Sequence, residues 1–95
     1  MQDEKFEQLH AIVKGKVQNV FFRDLTKKAA DKIGLKGGVR NLSDGSVEII
    51  AEGKRTQLEE LLSNLKENPG RGRVDHIDKT YRPAENQYKD FQIWL

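Results

Sequence analysis

The 95-residue sequence contains no cysteine, only two histidines and no long apolar run. Without cysteine the chain can form no disulfide, offers no thiolate nucleophile and cannot build a cysteine-type zinc site. His10 and His76 lie far apart in sequence and show no ligand spacing, so we expect no metal centre. No apolar segment approaches the roughly 20 residues that cross a bilayer, so we expect no membrane partner.

The charges are abundant but balanced. Seventeen Lys and Arg residues oppose fifteen Asp and Glu residues, and the net charge of +2 does not indicate a nucleic-acid partner because both signs are mixed along the chain. The length fits one domain, residues 1–95, with a modest core. Residues 1–5 are polar, should be flexible and do not resemble a signal peptide. We therefore expect a cytoplasmic monomer.

Hydrophobic patterning predicts five strands and two helices. The first helix opens near Phe22, is predicted to bury Phe22, Leu25, Ala29 and Ile33, and ends at Gly34. The second has Thr56 as its N-cap, Glu59 closing a capping box, and a leucine stripe as its core face. Asp44-Gly45 predicts a hairpin. The strands are predicted over residues 6–14, 37–42, 46–53, 74–81 and, as a short last strand, 91–95.

This order is typical of the ferredoxin-like split βαβ arrangement, an α+β sandwich. It predicts an antiparallel sheet with both helices on one face and a short extra strand at the C-terminus. In the first predicted strand, His10 is expected to be an ordinary, partly exposed residue and not a catalyst. The fold alone hosts many functions and cannot decide among them.

The stretch between the first strand and the first helix has the features of an anion site. Gly15 and Asn19 tolerate positive φ, which a loop of inward-pointing amides requires. The start of the helix adds unpaired N–H groups and the positive end of its dipole. Arg23 follows in the first helical turn, where its guanidinium could clasp two phosphate oxygens. A turn with one glycine is a weak signal alone.

The same stretch, GKVQNVFFR from Gly15 to Arg23, resembles the motif of the acylphosphatase family. A second motif, from Gly38 to Asn41 with the hairpin that follows, is similar to the family's second motif. Phe91-Gln92-Ile93 resembles the usual ending, so the likeness covers roughly residues 7 to 95.

The resemblance implies hydrolysis of the carboxyl–phosphate bond of a small acyl phosphate, giving a carboxylate and inorganic phosphate, without metal or cofactor. It implies Arg23 and Asn41 as catalytic residues, Arg23 on the phosphoryl group and Asn41 on the attacking water. The implied phosphate-binding loop adds the residues Gly15, Lys16, Val17, Gln18, Asn19 and Val20. A carboxylate leaves without protonation, so the absence of a general acid from these motifs fits this chemistry.

Two positions depart from the family pattern. Asn19 stands where glycine is usual, and because asparagine is the next best residue for positive φ, the loop should still form. Gly38 stands where the family commonly has a large side chain, and the loss of that side chain should remove packing beneath Asn41. Either change could lower activity.

Other classes of function stay open at this point. An anion-binding regulatory module of the same fold, without turnover, would use the same loop. RNA recognition by this fold stacks bases on strand aromatics, which the Val47-Glu48-Ile49-Ile50 strand lacks. Arg71 and Arg73 give weak support for a protein-interaction surface. The physiological substrate is not encoded in these motifs.

Overall fold

The computed structural model describes residues 5–95. Of the predicted flexible segment, residues 1–4 lie outside the described residues and Lys5 is exposed ahead of the first strand. The elements in chain order are β1 Phe6–Lys16, α1 Phe22–Ile33, β2 Lys36–Asn41, β3 Val47–Lys54, α2 Arg55–Glu67, β4 Arg73–Pro83 and β5 Phe91–Ile93.

The strands form a single sheet in the order β4-β1-β3-β2-β5. β1 lies antiparallel between β3 and β4, and β2 is antiparallel to β3, which confirms the split βαβ arrangement. The predicted short extra strand, β5, pairs with β2 in parallel, so the five-stranded sheet is mixed. The chain enters β5 from a long loop after β4 instead of a hairpin, which leaves it free to run beside β2 in the same direction.

The core lies between the sheet and the helices, which pack against each other on one face. Alternation along the strands supplies one half of the core, because residues two apart share a face. Leu9, Ala11 and Val13 in β1 are buried with Val47, Ile49 and Ala51 in β3. The α2 stripe of Leu58, Leu61, Leu62 and Leu65 supplies the other half, as predicted. Within residues 5–95, neither helix is long and apolar enough to cross a membrane.

No helix packs on the opposite face of the sheet within the described residues, and this helix-free face carries many polar side chains. Its members discussed below are Gln8, His10, Arg40, Glu48, Glu52 and Arg82. Gln8 and Glu52 are nonetheless buried, because they bond to each other at 3.0 Å and the segment after β4 folds over them.

Two local predictions for the helices are wrong in detail. The α1 residues buried deepest are Phe22, Thr26 and Ala30. Of the other predicted positions, Ala29 and Ile33 are half-buried and pack against the core, and Leu25 is half-buried. Thr26 can be buried because its hydroxyl donates to Phe22 O at 2.9 Å.

The predicted capping box of α2 also fails, since the helix begins at Arg55, one residue before the predicted N-cap Thr56. Gln57 accepts a hydrogen bond from Lys54 N at 3.0 Å, while Glu59 instead faces Lys79 on β4. The predicted glycine stop of α1 is confirmed, with Gly34 at φ 95°.

The expected loss of packing at Gly38 is also wrong. A Cβ at Gly38 would lie 2.2 Å from the indole of Trp94, so a ring from the C-terminal segment already fills this space. The Trp94 ring contacts Tyr88, with ring centroids 5.9 Å apart, and the backbone N–H of Trp94 donates to Val39 O at 2.8 Å. Gly38 and Asn41 are three residues apart in one strand and therefore face opposite sides, so Gly38 does not lie beneath Asn41.

Candidate active site

A β-bulge directs the end of β1 into the loop that precedes α1. The register with β4 shifts between Lys14 and Gly15, and Gly15 has φ 140°. A Cβ at Gly15 would lie 2.2 Å from Arg73 O, so the two strands can approach this closely only at glycine. The loop then spans residues 17–21, called the β1–α1 loop below.

The β1–α1 loop holds two non-glycine residues in the left-handed region. Asn19 has φ 62°, which confirms the positive φ predicted there, and Phe21 at the helix start has φ 60°. Such turns point successive amides to one side. The N–H groups of residues 18–21 donate to no backbone carbonyl within residues 5–95, and α1 has no side-chain cap. The loop therefore presents free donors beside the positive end of a helix dipole.

An open cleft of about 420 Å³ adjoins these donors. Arg23 lines it, is half-buried, and forms no ion pair or side-chain hydrogen bond within the described range. An arginine without a carboxylate partner keeps its whole fork of donors for a ligand. The full lining comprises Val17, Asn19, Phe21, Phe22, Arg23, Asp24, Asn41 and Ile93.

Asn41, the last residue of β2, enters the cleft from the sheet. Its Oδ1 is buried and accepts no hydrogen bond from any group in the described part of the chain. A buried acceptor without a donor costs about 1–3 kcal/mol. A ligand O–H that reaches Oδ1 would supply that donor, so Asn41 is suited to hold water or a hydroxyl.

Gln18 ties the β1–α1 loop to the hairpin between β2 and β3. Its Nε2 donates to Leu42 O at 2.7 Å and to Ser46 O at 2.8 Å. Asp44, in the same hairpin, accepts from the hydroxyl and the N–H of Ser46, and these bonds hold the pKa of its carboxyl below the ordinary value. Because Leu42 follows Asn41 directly, the clamp keeps Asn41 next to the loop.

The predicted site residues separate into those that line the cleft and those that shape it. Val17, Asn19, Arg23 and Asn41 line the cleft together. Gly15 and Lys16 belong to β1, and Val20 packs against the core. The sequence interpretation missed four lining residues, Phe21, Phe22, Asp24 and Ile93.

The missed lining residues differ in whether a sequence signal could have identified them. Phe21, Phe22 and Asp24 adjoin Arg23, so their closeness to it was a usable signal. Ile93 reaches the cleft only through the pairing of β5 with β2, which no local pattern shows. No group of three or more His, Asp or Glu side chains among residues 5–95 is placed to hold a metal ion.

Free loop amides, an unpaired arginine and an amide oxygen without a donor are features expected of a site for a small oxyanion. Comparison with known proteins specifies the family. The acylphosphatase family model matches residues 9–93. An acylphosphatase of Dehalococcoides mccartyi (strain CBDB1) is 44% identical over 86 residues, which is 90% of this chain and 94% of that one.

Solved structures agree with the sequence match. The crystal structure of acylphosphatase from Bacillus subtilis superposes with a TM-score of 0.86 at 34% identity, covering 94% of this chain and 99% of that chain. An acylphosphatase structure from Coxiella burnetii gives 0.87 at 35% identity, covering 99% and 100%. The chain belongs to the acylphosphatase family and is a hydrolase that acts on acyl phosphates.

Proposed function

We propose that the cleft performs this hydrolysis with Arg23 and the β1–α1 loop on the phosphoryl group and Asn41 on the attacking water. The observation that carries the proposal is the meeting of three unsatisfied features in one place. The cleft is lined by Asn19 and Phe21 of the loop with free amides, by Arg23 with its unpaired guanidinium, and by Asn41, whose Oδ1 has no donor.

The phosphoryl group is bound by the amides and the guanidinium. Phosphoryl transfer needs mainly positioning and stabilisation of charge on the equatorial oxygens. Fixed N–H donors supply both without reorganising during the reaction. Arg23 adds a full positive charge and a planar pair of donors that matches two of the oxygens. Gly15 and Lys16 contribute from β1, where the bulge turns the chain toward the phosphate, and Gln18 holds the loop on the hairpin.

Asn41 orients the water for attack on phosphorus. Its Oδ1 accepts one water hydrogen and so directs a lone pair of the water at the phosphoryl group. A new P–O bond forms to water while the bond between phosphorus and the acyl oxygen breaks. A substrate with two negative charges and one water give a carboxylate and a dihydrogen phosphate, each with one negative charge. The second water proton therefore passes to a phosphate oxygen, since Asn41 cannot accept it at neutral pH.

No general acid is required on the leaving side. The departing carboxylate has a conjugate acid with a pKa of about 4, so it leaves without a proton. His10, the histidine of β1, is engaged with Glu48 on the helix-free face, where Nε2 lies 2.8 Å from Glu48 Oε2. It stands on the face of β1 opposite the residues that pack toward the helices.

The proposed partners are a small acyl phosphate as substrate and inorganic phosphate as product. A cytoplasmic monomer remains our expectation from the sequence. Of the two cations in the interaction-surface alternative, Arg73 already pairs with Asp75 at 2.6 Å.

The test is hydrolysis of benzoyl phosphate in heavy-oxygen water, with and without EDTA. We expect benzoate and phosphate in equal amounts, the heavy oxygen in phosphate alone, and the same rate with chelator. Label in benzoate would show attack at the carbonyl carbon and would overturn the roles of Arg23 and Asn41. A rate abolished by EDTA and restored by a metal would overturn the metal-free mechanism.

A further inference from the structure

Phe21 is held outward at the start of α1. Its side chain is 74% exposed, although both chain neighbours, Val20 and Phe22, pack into the core. Its φ of 60° is one that bulky side chains rarely adopt, because Cβ crowds the following carbonyl. Phe21 keeps this conformation because both of its neighbours are buried and because the N–H of Leu25 donates to Phe21 O at 3.1 Å. The chain thus presents an aromatic ring to solvent from a strained backbone, a combination that clusters at functional sites.

Phe21 and Asp24 line two clefts at once. One is the cleft described above, and the other, of about 520 Å³, runs along α1 and is bordered further by Leu25, Lys27, Lys28 and Asp31. Because two residues belong to both linings, the clefts meet at Phe21 and Asp24. The cleft along α1, which Phe21 and Asp24 also line, is called the α1 groove below.

The acyl group of the substrate is a candidate occupant of the place where the two clefts meet. With the phosphoryl oxygens on the loop amides and Arg23, the acyl group must extend away from them toward the mouth of the cleft. Phe21 lines the cleft and is largely exposed, so its ring is accessible to such a group. An aromatic acyl group could pack on its ring in an offset or edge-to-face arrangement, and the α1 groove could take a longer apolar group.

The charges of the α1 groove indicate an uncharged acyl group. Its lining has two acids, Asp24 and Asp31, and two lysines, Lys27 and Lys28, so the formal charges cancel. Lys27 is already engaged, with Nζ 3.0 Å from Asp31 and 2.8 Å from Phe91 O. Nothing here offers a second anion a concentrated positive charge, so selection rests on apolar contact.

We propose that Phe21 and the α1 groove form an acyl-binding subsite that favours aromatic and other uncharged apolar acyl groups over small ones. This inference rests on the proposed function, because it takes the phosphoryl group to lie on the β1–α1 loop. It assigns Phe21 to substrate selection and not to the chemical step.

The experiment compares kcat/KM for benzoyl phosphate and acetyl phosphate in the wild-type protein and in Phe21→Ala, Phe21→Gly and Phe21→Tyr. The ratio of the two values should fall about three- to tenfold in Phe21→Ala and Phe21→Gly, which lose the ring, and stay near wild type in Phe21→Tyr. Gly removes the backbone strain as well, so agreement between Ala and Gly separates the ring from the strain. Phe6→Ala, at a second exposed phenylalanine on β1, is the matched control and should leave the ratio unchanged.

The outcomes distinguish this inference from the function beneath it. If the wild-type protein hydrolyses both substrates and the ratio is unchanged in Phe21→Ala, the subsite is refuted while the proposed function stands. Equal loss on both substrates would assign Phe21 to loop geometry and also refute the subsite.

Binding gives a readout that does not need turnover. Calorimetric titration with benzoylmethylphosphonate and acetonylphosphonate should show the same three- to tenfold loss of preference in Phe21→Ala. If the wild-type protein turns over neither acyl phosphate, the proposed function fails, and these two analogues still decide the subsite. A preference that survives Phe21→Ala there would overturn it.

Discussion

The cleft and the helix-free face are both rich in partly buried polar groups, but only the helix-free face satisfies them from within the chain. On that face Glu52, 4% exposed, accepts from Gln8 Nε2 at 3.0 Å, Glu85 N at 2.7 Å and Asn86 N at 3.1 Å. Glu48 likewise accepts from His10 and Arg40. The polar groups here hold strands and the segment after β4 together.

At the cleft the same kinds of groups are left without partners. Arg23 has no carboxylate within the described range, and Asn41 Oδ1 has no donor there. Asn19 and Phe21 add backbone strain. Unsatisfied buried groups and strained backbone each cost about 1–3 kcal/mol, and a ligand bound in the cleft would repay part of that cost. Polarity alone does not distinguish the two regions. The cleft differs because an unpaired arginine, a buried oxygen without a donor and strained backbone occur there together.

The largest difference is expected between two arginine-to-lysine replacements, one at the cleft and one on the helix-free face. Arg23→Lys should lower kcat/KM for benzoyl phosphate by about 10²–10³, because a point charge cannot reproduce two parallel N–H donors on developing charge. Arg82→Lys, which loses bonds to Gln8 and Glu85, should leave activity within about twofold. Steady-state kinetics measures both. Equal activities in the two variants would contradict a functional difference between the cleft and the helix-free face.

Asn41→Ala should lower kcat by about 10² while the inhibition constant for inorganic phosphate stays within about twofold, because Asn41 holds water more than phosphate. Asn64→Ala, on the exposed side of α2, is the matched control and should change neither value. Weakened phosphate inhibition in Asn41→Ala would place Asn41 among the phosphate ligands.

The two asparagines in the left-handed region, Asn19 in the loop and Asn86 after β4, separate strain that serves a ligand from strain that serves the fold. Asn19→Val should weaken phosphate binding about tenfold, since a β-branched residue disfavours this φ by more than 1 kcal/mol, and Asn19→Gly should keep or improve it. Asn86→Val should lower stability and leave phosphate affinity unchanged. Calorimetric titration with phosphate measures these effects. Unaltered binding by Asn19→Val would show that the loop amides do not depend on this curvature.

The smallest effect concerns pH on the helix-free face. Burial raises the pKa of Glu48, but the hydrogen bonds from His10 and Arg40 outweigh it and hold that pKa below the ordinary 4.5. A lowered pKa means that the stabilisation is complete above about pH 4.5 and disappears as pH falls through the folded value.

Glu48→Gln should therefore destabilise the protein by about 1 kcal/mol or less at neutral pH, and the difference should shrink in acid. Urea unfolding of both proteins between neutral and acid pH measures it. A difference that grows as pH falls would contradict the sign. Activity at neutral pH should be unaffected, since Glu48 lies outside the cleft lining.

Much of the fold was predictable because its signals are local. The seven elements follow from periodicity, Gly34 marks the end of α1, and the positive φ of Asn19 follows from the curvature that the motif requires. The errors have local causes too. Gln57, not Glu59, accepts the hydrogen bond at the N-terminus of α2, and Thr26 is buried because its hydroxyl bonds inside its own helix.

The sequence by itself determined the family, the sandwich and the two side chains on which the proposal rests, Arg23 and Asn41, because motifs and periodicity act over a few residues. Tertiary structure decided how those side chains meet and what surrounds them. Gln18 reaches the hairpin 24 and 28 residues away, Ile93 arrives through a parallel pairing, and Trp94 replaces the packing missing at Gly38. Contacts between distant segments depend on strand order and register, which no short stretch of sequence contains.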